Sequence, residues 1–224
     1  RPMKIIQITP GSGDAFYCEN CLRDAWLVQA LRRLGHDAIL APLYLPVQMD
    51  LPPDGAFRPA SIFFGGLNVY LQQHLSFFRH SPRWLDRLFD HPLLLQGLAR
   101  MAGSTRSADL GALTLSMLRG EEGRQNKELD RLCRWIQSER PDAIWISNAL
   151  LAGLARRLRT AAAAPVLCFL QDEEGWLDGL PEPSRSQAWD TLAQRAADVD
   201  RWIAVSHTYA ARMTARLGLA ARPP

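Results

Sequence analysis

Three short stretches carry residue types and spacings that could do chemistry. Gly11-Ser12-Gly13 follows the apolar run Lys4-Ile5-Ile6-Gln7-Ile8-Thr9 and Pro10, and leads into a helical pattern. Strand, glycine loop and helix in that order aim free backbone N–H groups over the strand's C-terminal end. The partial positive charge of a helix N-terminus suits that spot to a phosphate or a carboxylate. The same glycines also fit a plain turn that packs the helix on its strand. Gln171-Asp172-Glu173-Glu174 follows the apolar run Val166–Leu170 and puts an amide and three carboxylates at a strand end. A functional role and a solvated turn are both open there. Cys18-Glu-Asn-Cys21 spaces two thiols one helical turn apart, which is a redox arrangement near a helix N-terminus. Loop shaping and packing is the plainer reading. Zinc normally needs four ligands, and Cys133 on a helix's apolar face and Cys168 inside a strand are poor candidates to complete a set. No metal site is expected.

The elements that must position these groups follow an alternating rhythm. The spacing predicts a helix over Glu19 to Leu34 with Leu27, Leu31 and Leu34 on a buried stripe beside Val28, capped by Gly35. Asp37 to Tyr44 reads as a second strand, apolar enough to be covered on both faces. Ser61-Ile-Phe-Phe64 reads as a third, ending in Gly65-Gly66 with Asn68 close behind. From about 67 to 120 long helical patterns replace the alternation, which predicts a helical insertion. Glu121 to Ser138 is predicted helical, with Leu129, Leu132, Cys133 and Ile136 on one face and an Asp130–Arg134 pair on another. Strands follow at Asp142 to Ser147, Val166 to Leu170 and Trp202 to Val205. Helices are expected after each, with Leu151, Leu154 and Leu158 aligned, then Ser184 to Ala197, then Ala210, Met213 and Leu217. Strands alternating with helices predict an α/β fold, a three-layer Rossmann-like parallel sheet with a helical insertion. Right-handed crossovers then gather every strand's C-terminal loop on one rim, including Asn148 and Ser206-His207. Ser206 is open to two roles, ligand contact or helix N-cap. His36 is expected to cap or pack, and Trp176 to line the cleft wall.

Bulk properties exclude several function classes. The chain has 224 residues, 47% of them hydrophobic and 22% charged, with a net charge of +3. All basic residues except Lys4 and Lys127 are arginines, and they are scattered, so nucleic-acid binding is not expected. No apolar run reaches the roughly 20 residues of a membrane span, and no signal peptide precedes Lys4. Four cysteines in a chain this long are no disulfide framework, which points to a reducing cytoplasm. Arg1-Pro2 ahead of Met3 reads as a cloning remnant, and the ending after the last helix as a cut. The stretch His74 to Arg100 mixes aromatics with Arg79, Arg83 and Arg87. It fits either peripheral contact with anionic lipid at the inner membrane face or a helical insertion that packs on the sheet.

Together these motifs resemble the N-terminal domain of family-4-like glycosyltransferases of the GT-B architecture. The resemblance rests on Thr9-Pro10-Gly11-Ser12-Gly13, Leu31-Arg-Arg-Leu34-Gly35-His36 and Pro141-Asp142-Ala-Ile144. Pro165-Val166-Leu-Cys-Phe-Leu170-Gln171-Asp172-Glu173-Glu174 and Ile203-Ala-Val-Ser206 complete it. It covers residues 3 to 220 and is weakest over 67 to 120. The resemblance implies one half of a GT-B fold, a domain of residues 3–224 that holds the acceptor, with a separate C-terminal domain holding a nucleotide sugar. It implies sugar transfer to an acceptor hydroxyl with retention, no cofactor, no metal, and a glycan or lipid-linked acceptor as partner. It gives Gln171, Glu173 and Glu174 catalytic roles, and assigns substrate contact to Gly11, Ser12, Gly13, Gly65, Gly66, Asn68, Asn148, Asp172 and Ser206. Related enzymes resemble "His-Gly-x-Asp" where this chain has Gln171-Asp172-x-Glu174. Glutamine hydrogen-bonds but does not titrate, so sugar positioning is its implied role, with a carboxylate function nearest Glu173 or Glu174. Two other readings compete. One is a non-catalytic nucleotide- or phosphate-binding module, the other a thiol oxidoreductase using Cys18 and Cys21.

Overall fold

The computed structural model describes residues 1–11, 18–44 and 107–219. Within them the chain runs β1 (Lys4–Thr9), α1 (Glu19–Arg33), β2 (Asp37–Pro42), α2 (Ser107–Arg119), α3 (Asn126–Glu139) and β3 (Ala143–Ile146). It continues through α4 (Ala155–Ala162), β4 (Val166–Leu170), α5 (Glu173–Asp178), α6 (Ser184–Arg195), β5 (Arg201–Ala204) and α7 (His207–Arg216). The strands form one all-parallel sheet in the order β2-β1-β3-β4-β5. This is the expected α/β, Rossmann-like arrangement. The strand expected at Ser61–Phe64, the stretch His74 to Arg100 and the insertion up to residue 106 lie outside the described residues.

Strand periodicity divides the core. Ile5, Ala38 and Leu40 point to one face of the sheet, where Ala25, Val28 and Leu31 of α1 cover them. Ile6, Ile8, Ile39, Ile144 and Ile146 point to the other, against Leu129, Leu132 and Ile136 of α3 and Leu154 and Leu158. On the α1 face the residues after Ile5 change character. Gln7 and Thr9 share its side of β1 and are fully buried, so that face turns polar toward the C-terminal rim. At the opposite rim two aspartates tie strand starts together. Asp142 Oδ2 accepts the Lys4 N–H at 2.7 Å, and Asp200 Oδ2 accepts the Val166 N–H at 2.8 Å. Each satisfies a backbone donor that the ladder leaves free.

Several boundaries and pairings differ from the sequence reading. Leu34, expected on the buried stripe, is 75% exposed. It is the C-cap of α1, and the stripe runs instead through Cys21, Asp24, Ala25, Val28 and Leu31. Gly35 takes the left-handed φ of 86° that lets the chain turn into β2. The helix expected from Glu121 begins at Asn126, because Gly120 to Glu122 form a short 3-10 turn entered at a positive φ. Asp130 pairs with Arg157 of α4 at 2.6 Å, so its partner lies across the helix interface and not one turn along. Leu151 and Leu154 sit in a 3-10 segment, Ala149–Leu154, that precedes α4. A helix, α5, occupies the start of the segment read as a loop after β4.

Candidate functional site

All parallel strands deliver their C-terminal ends to one rim, and a polar cluster sits there under the first turn of α1. That helix starts where Cys18 accepts the Cys21 N–H at 3.2 Å, an N-cap made by sulfur. Cys18 and Cys21 are joined as a disulfide across the turn. Two residues on, Arg23 reaches over the sheet. Its Nε and Nη2 donate to Asp24 Oδ1 at 3.1 and 2.6 Å, and Nη2 also donates to the Ser147 carbonyl at 2.6 Å. Its Nη1 donates to Gln171 Oε1. The guanidinium lies 4.6 Å from the centre of the Phe169 ring. One side chain therefore links α1 to the ends of β3 and β4.

Asp24 is fully buried beneath this arginine. Burial pushes its carboxyl above the usual value of 3.8, with the Arg23 charge and the Arg23 hydrogen bonds opposing. Arg23 and Asp24 were absent from the sequence-derived candidates. The signal was present: an aspartate at position 24 interrupts an otherwise apolar stripe of 21, 25, 28 and 31, and a charge placed there needs a buried partner.

The predicted residues separate into distinct places. Gln171 belongs to the cluster. Glu173 is 2% exposed, and both its oxygens are taken: Oε1 accepts the Ala149 N–H at 2.8 Å, and Oε2 accepts the Gln171 N–H and the Tyr209 hydroxyl, each at 2.8 Å. It fastens the turns after β3 and β4 to α7. Glu174 pairs with Arg212 and Arg216 of α7, each at 3.0 Å. Asp172 is the exposed residue before α5 and takes a left-handed φ of 54°. Asn148 and Ser206 are both N-caps: Asn148 Oδ1 accepts the Leu150 N–H, and Ser206 Oγ accepts the Tyr209 N–H, each at 3.1 Å. Gly11 has a φ of 78° at the end of β1. Ser12, Gly13, Gly65, Gly66 and Asn68 lie outside the described residues.

The remaining side chains of interest are engaged elsewhere. His36 Nδ1 accepts the Met3 N–H at 3.2 Å, a packing role. Trp176 donates from Nε1 to Thr114 Oγ1 at 3.1 Å. Among the described residues no three His, Cys, Asp or Glu side chains converge to hold a metal ion, and no helix is long and apolar enough to cross a membrane. The arrangement offers donors at a rim: an arginine, a glutamine amide and the first turn of a helix. Donors of this kind receive phosphate or sugar oxygens.

A family model described as a glycosyl transferase 4-like domain matches residues 24–223. No curated protein matches the chain.

Proposed function

Because the chain belongs to the glycosyl transferase 4-like domain family, we propose that it forms the acceptor-side half of a two-domain glycosyltransferase. On this reading the enzyme moves a sugar from a nucleotide-sugar donor to an acceptor hydroxyl with retention. The bond from the anomeric carbon to the donor phosphate breaks and a bond to the acceptor oxygen forms. The acceptor's proton leaves, and the nucleoside diphosphate departs. A second domain of the same protein would hold the donor, and a glycan or lipid-linked alcohol would occupy the rim described here. No cofactor or metal enters the reading.

The observation that carries it is the meeting of Arg23, Ser147 and Gln171 at the C-terminal rim of a parallel sheet. Open α/β sheets bind ligands at that edge. Gln171 is the residue we place against the transferred sugar, with the first turn of α1 beside it. Glu173 on this reading shapes the rim without touching substrate, since its oxygens are occupied by protein donors. Glu174, held by Arg212 and Arg216, and Asp172 flank the crevice.

The test is donor turnover by the full-length protein. Labelled UDP-, GDP- and ADP-sugars are supplied with a lipid and glycan extract, and nucleoside diphosphate release and label transfer are followed. Release with a product of unchanged anomeric configuration supports the proposal. Absence of release from every donor would remove it.

A further inference from the structure

The geometry points to Arg23 as a positioning residue: it pins the Gln171 amide so that its NH2 group, and not its carbonyl, is presented to the crevice. A guanidinium carries five N–H donors and no acceptor. Here Nε–H and one Nη2–H go to Asp24, the other Nη2–H goes to the Ser147 carbonyl, and one Nη1–H goes to Gln171. A neighbour that only donates compels the adjoining amide to turn its oxygen inward. That choice is chemical and fixes which end of Gln171 is free. Among the described residues no protein acceptor takes the Gln171 Nε2 group, and the glutamine's backbone N–H is held by Glu173.

The guanidinium is itself over-determined. Asp24, fully buried, supplies the counter-charge. The Ser147 carbonyl fixes one edge of the fork at 2.6 Å, and the Phe169 ring lies 4.6 Å beneath the central carbon. The side chain is still 25% exposed. One Nη1–H remains beside the Gln171 NH2, a pair of neighbouring donors for which the described residues provide no acceptor. Such a pair selects an oxygen acceptor, either a sugar hydroxyl or a phosphate oxygen. This inference rests on the sugar-transfer reading for its substrate class but not for the Arg23–Gln171 tie. Arg23 lies just outside the matched family span, which begins at residue 24.

Gln171→Glu separates positioning from plain structure. A carboxylate keeps the tie to Arg23 as an ion pair, so the melting temperature should hold or rise, yet it offers the crevice an acceptor in place of a donor. Arg23→Lys keeps the charge but loses the fork. The side-chain amide resonances of Gln171 in the full-length protein report the tie directly. They should be shifted and well separated in the native protein, and collapse toward free-glutamine values in Arg23→Lys and Arg23→Ala. Unchanged resonances in both variants would overturn the proposal, whatever the activity. In the UDP- and GDP-sugar assay, Gln171→Glu and Arg23→Lys should each lower kcat by about ten- to a hundredfold, as one hydrogen bond to a charged or reacting oxygen is lost. Gln171→Glu turning over at the native rate would also overturn it. A native protein that releases no nucleoside diphosphate sinks the sugar-transfer reading alone, and the amide resonances still decide the Arg23 tie.

Discussion

Tyr209 and Glu173 grip each other reciprocally. The phenol donates to Glu173 Oε2 at 2.8 Å and accepts the Glu173 backbone N–H at 3.0 Å. Burial and the Glu173 charge both raise the phenol's pKa, so it stays a donor. The same carboxylate takes the N–H groups of Ala149 and Gln171, which makes it a knot between two rim turns and α7. A knot of this kind keeps the end of β4, and with it Gln171, in a fixed place.

Removing the knot should therefore cost stability before anything else. Glu173→Ala strands two backbone donors and is expected to destabilise the fold by roughly 3 kcal/mol, whereas Tyr209→Phe should cost about 1 kcal/mol. A double-mutant cycle from urea melts should show clear coupling between the two sites. Strict additivity would mean the grip contributes nothing to the folded state.

Gly153 and Gly120 make the second test, one of close approach. A Cβ on Gly153 would drive into the carbonyl oxygens of Met117 and Leu118, and one on Gly120 into the Gly153 carbonyl. All of these are backbone atoms, so no side chain can move aside. Gly153→Ala is expected to cost about 3 kcal/mol or more. Gly35 has a φ of 86° but open space around it, so Gly35→Ala should cost only about 1 kcal/mol, the strain of the left-handed backbone. Thermal melts of the two variants should rank in that order, and equal losses would refute the packing argument.

Thiol labelling gives a third prediction. Burial pushes the Cys133 thiol up to about 11 and the Cys168 thiol well above its usual value, so neither supplies thiolate at neutral pH. Cys18 and Cys21 are bonded. The native protein should take no iodoacetamide. After dithiothreitol it should take label at Cys18 and Cys21 alone, located by peptide mass spectrometry. Label at Cys133 in folded protein would show that its cover opens. The Cys18→Ser/Cys21→Ser variant should keep sugar transfer, and its loss would favour the thiol reading of the pair.

Much of the frame was legible in the residues. β1, β4 and the cap at Gly35 fall where alternation and turn chemistry place them, because short apolar strands and a glycine after a helix leave few choices. The short helix α5 was not legible. Its residues Glu173 to Asp178 lack apolar periodicity, and it is held by Tyr209, Thr114 and the α7 arginines, contacts that only the fold creates. Glu173 shows the same limit for chemistry. Its type and place at a strand end suggested an acid or base, while its occupied oxygens depend on donors from Ala149 and Tyr209, distant in sequence. Arg23 and Asp24 were legible in part. The break that Asp24 makes in the apolar stripe marks a buried charge, but its setting under Arg23, with Ser147 and Gln171 distant in sequence, is made only by the fold.

Asp24 offers the last prediction, through pH. Its carboxyl is raised above 3.8, chiefly by burial, so the folded chain binds that proton more tightly than the unfolded chain does. A group raised in this way contributes stability that is fully present below the unfolded value and lost as pH rises through the folded one. Urea midpoints of the native protein, taken relative to Asp24→Asn, should therefore fall as pH climbs from about 4 toward neutrality. The asparagine variant lacks this titration and supplies the baseline, even though Arg23 loses its counter-ion in it. The same protonation leaves the Arg23 charge uncompensated at the acid end. Affinity for pyrophosphate, a probe for the crevice, should accordingly rise in the native protein relative to Asp24→Asn as pH falls through that window, the ratio at each pH removing the ligand's own protonation. A stability difference that stays level from acid to neutral would show that the buried carboxylate is fully matched by Arg23, and that no proton is linked to folding at this site.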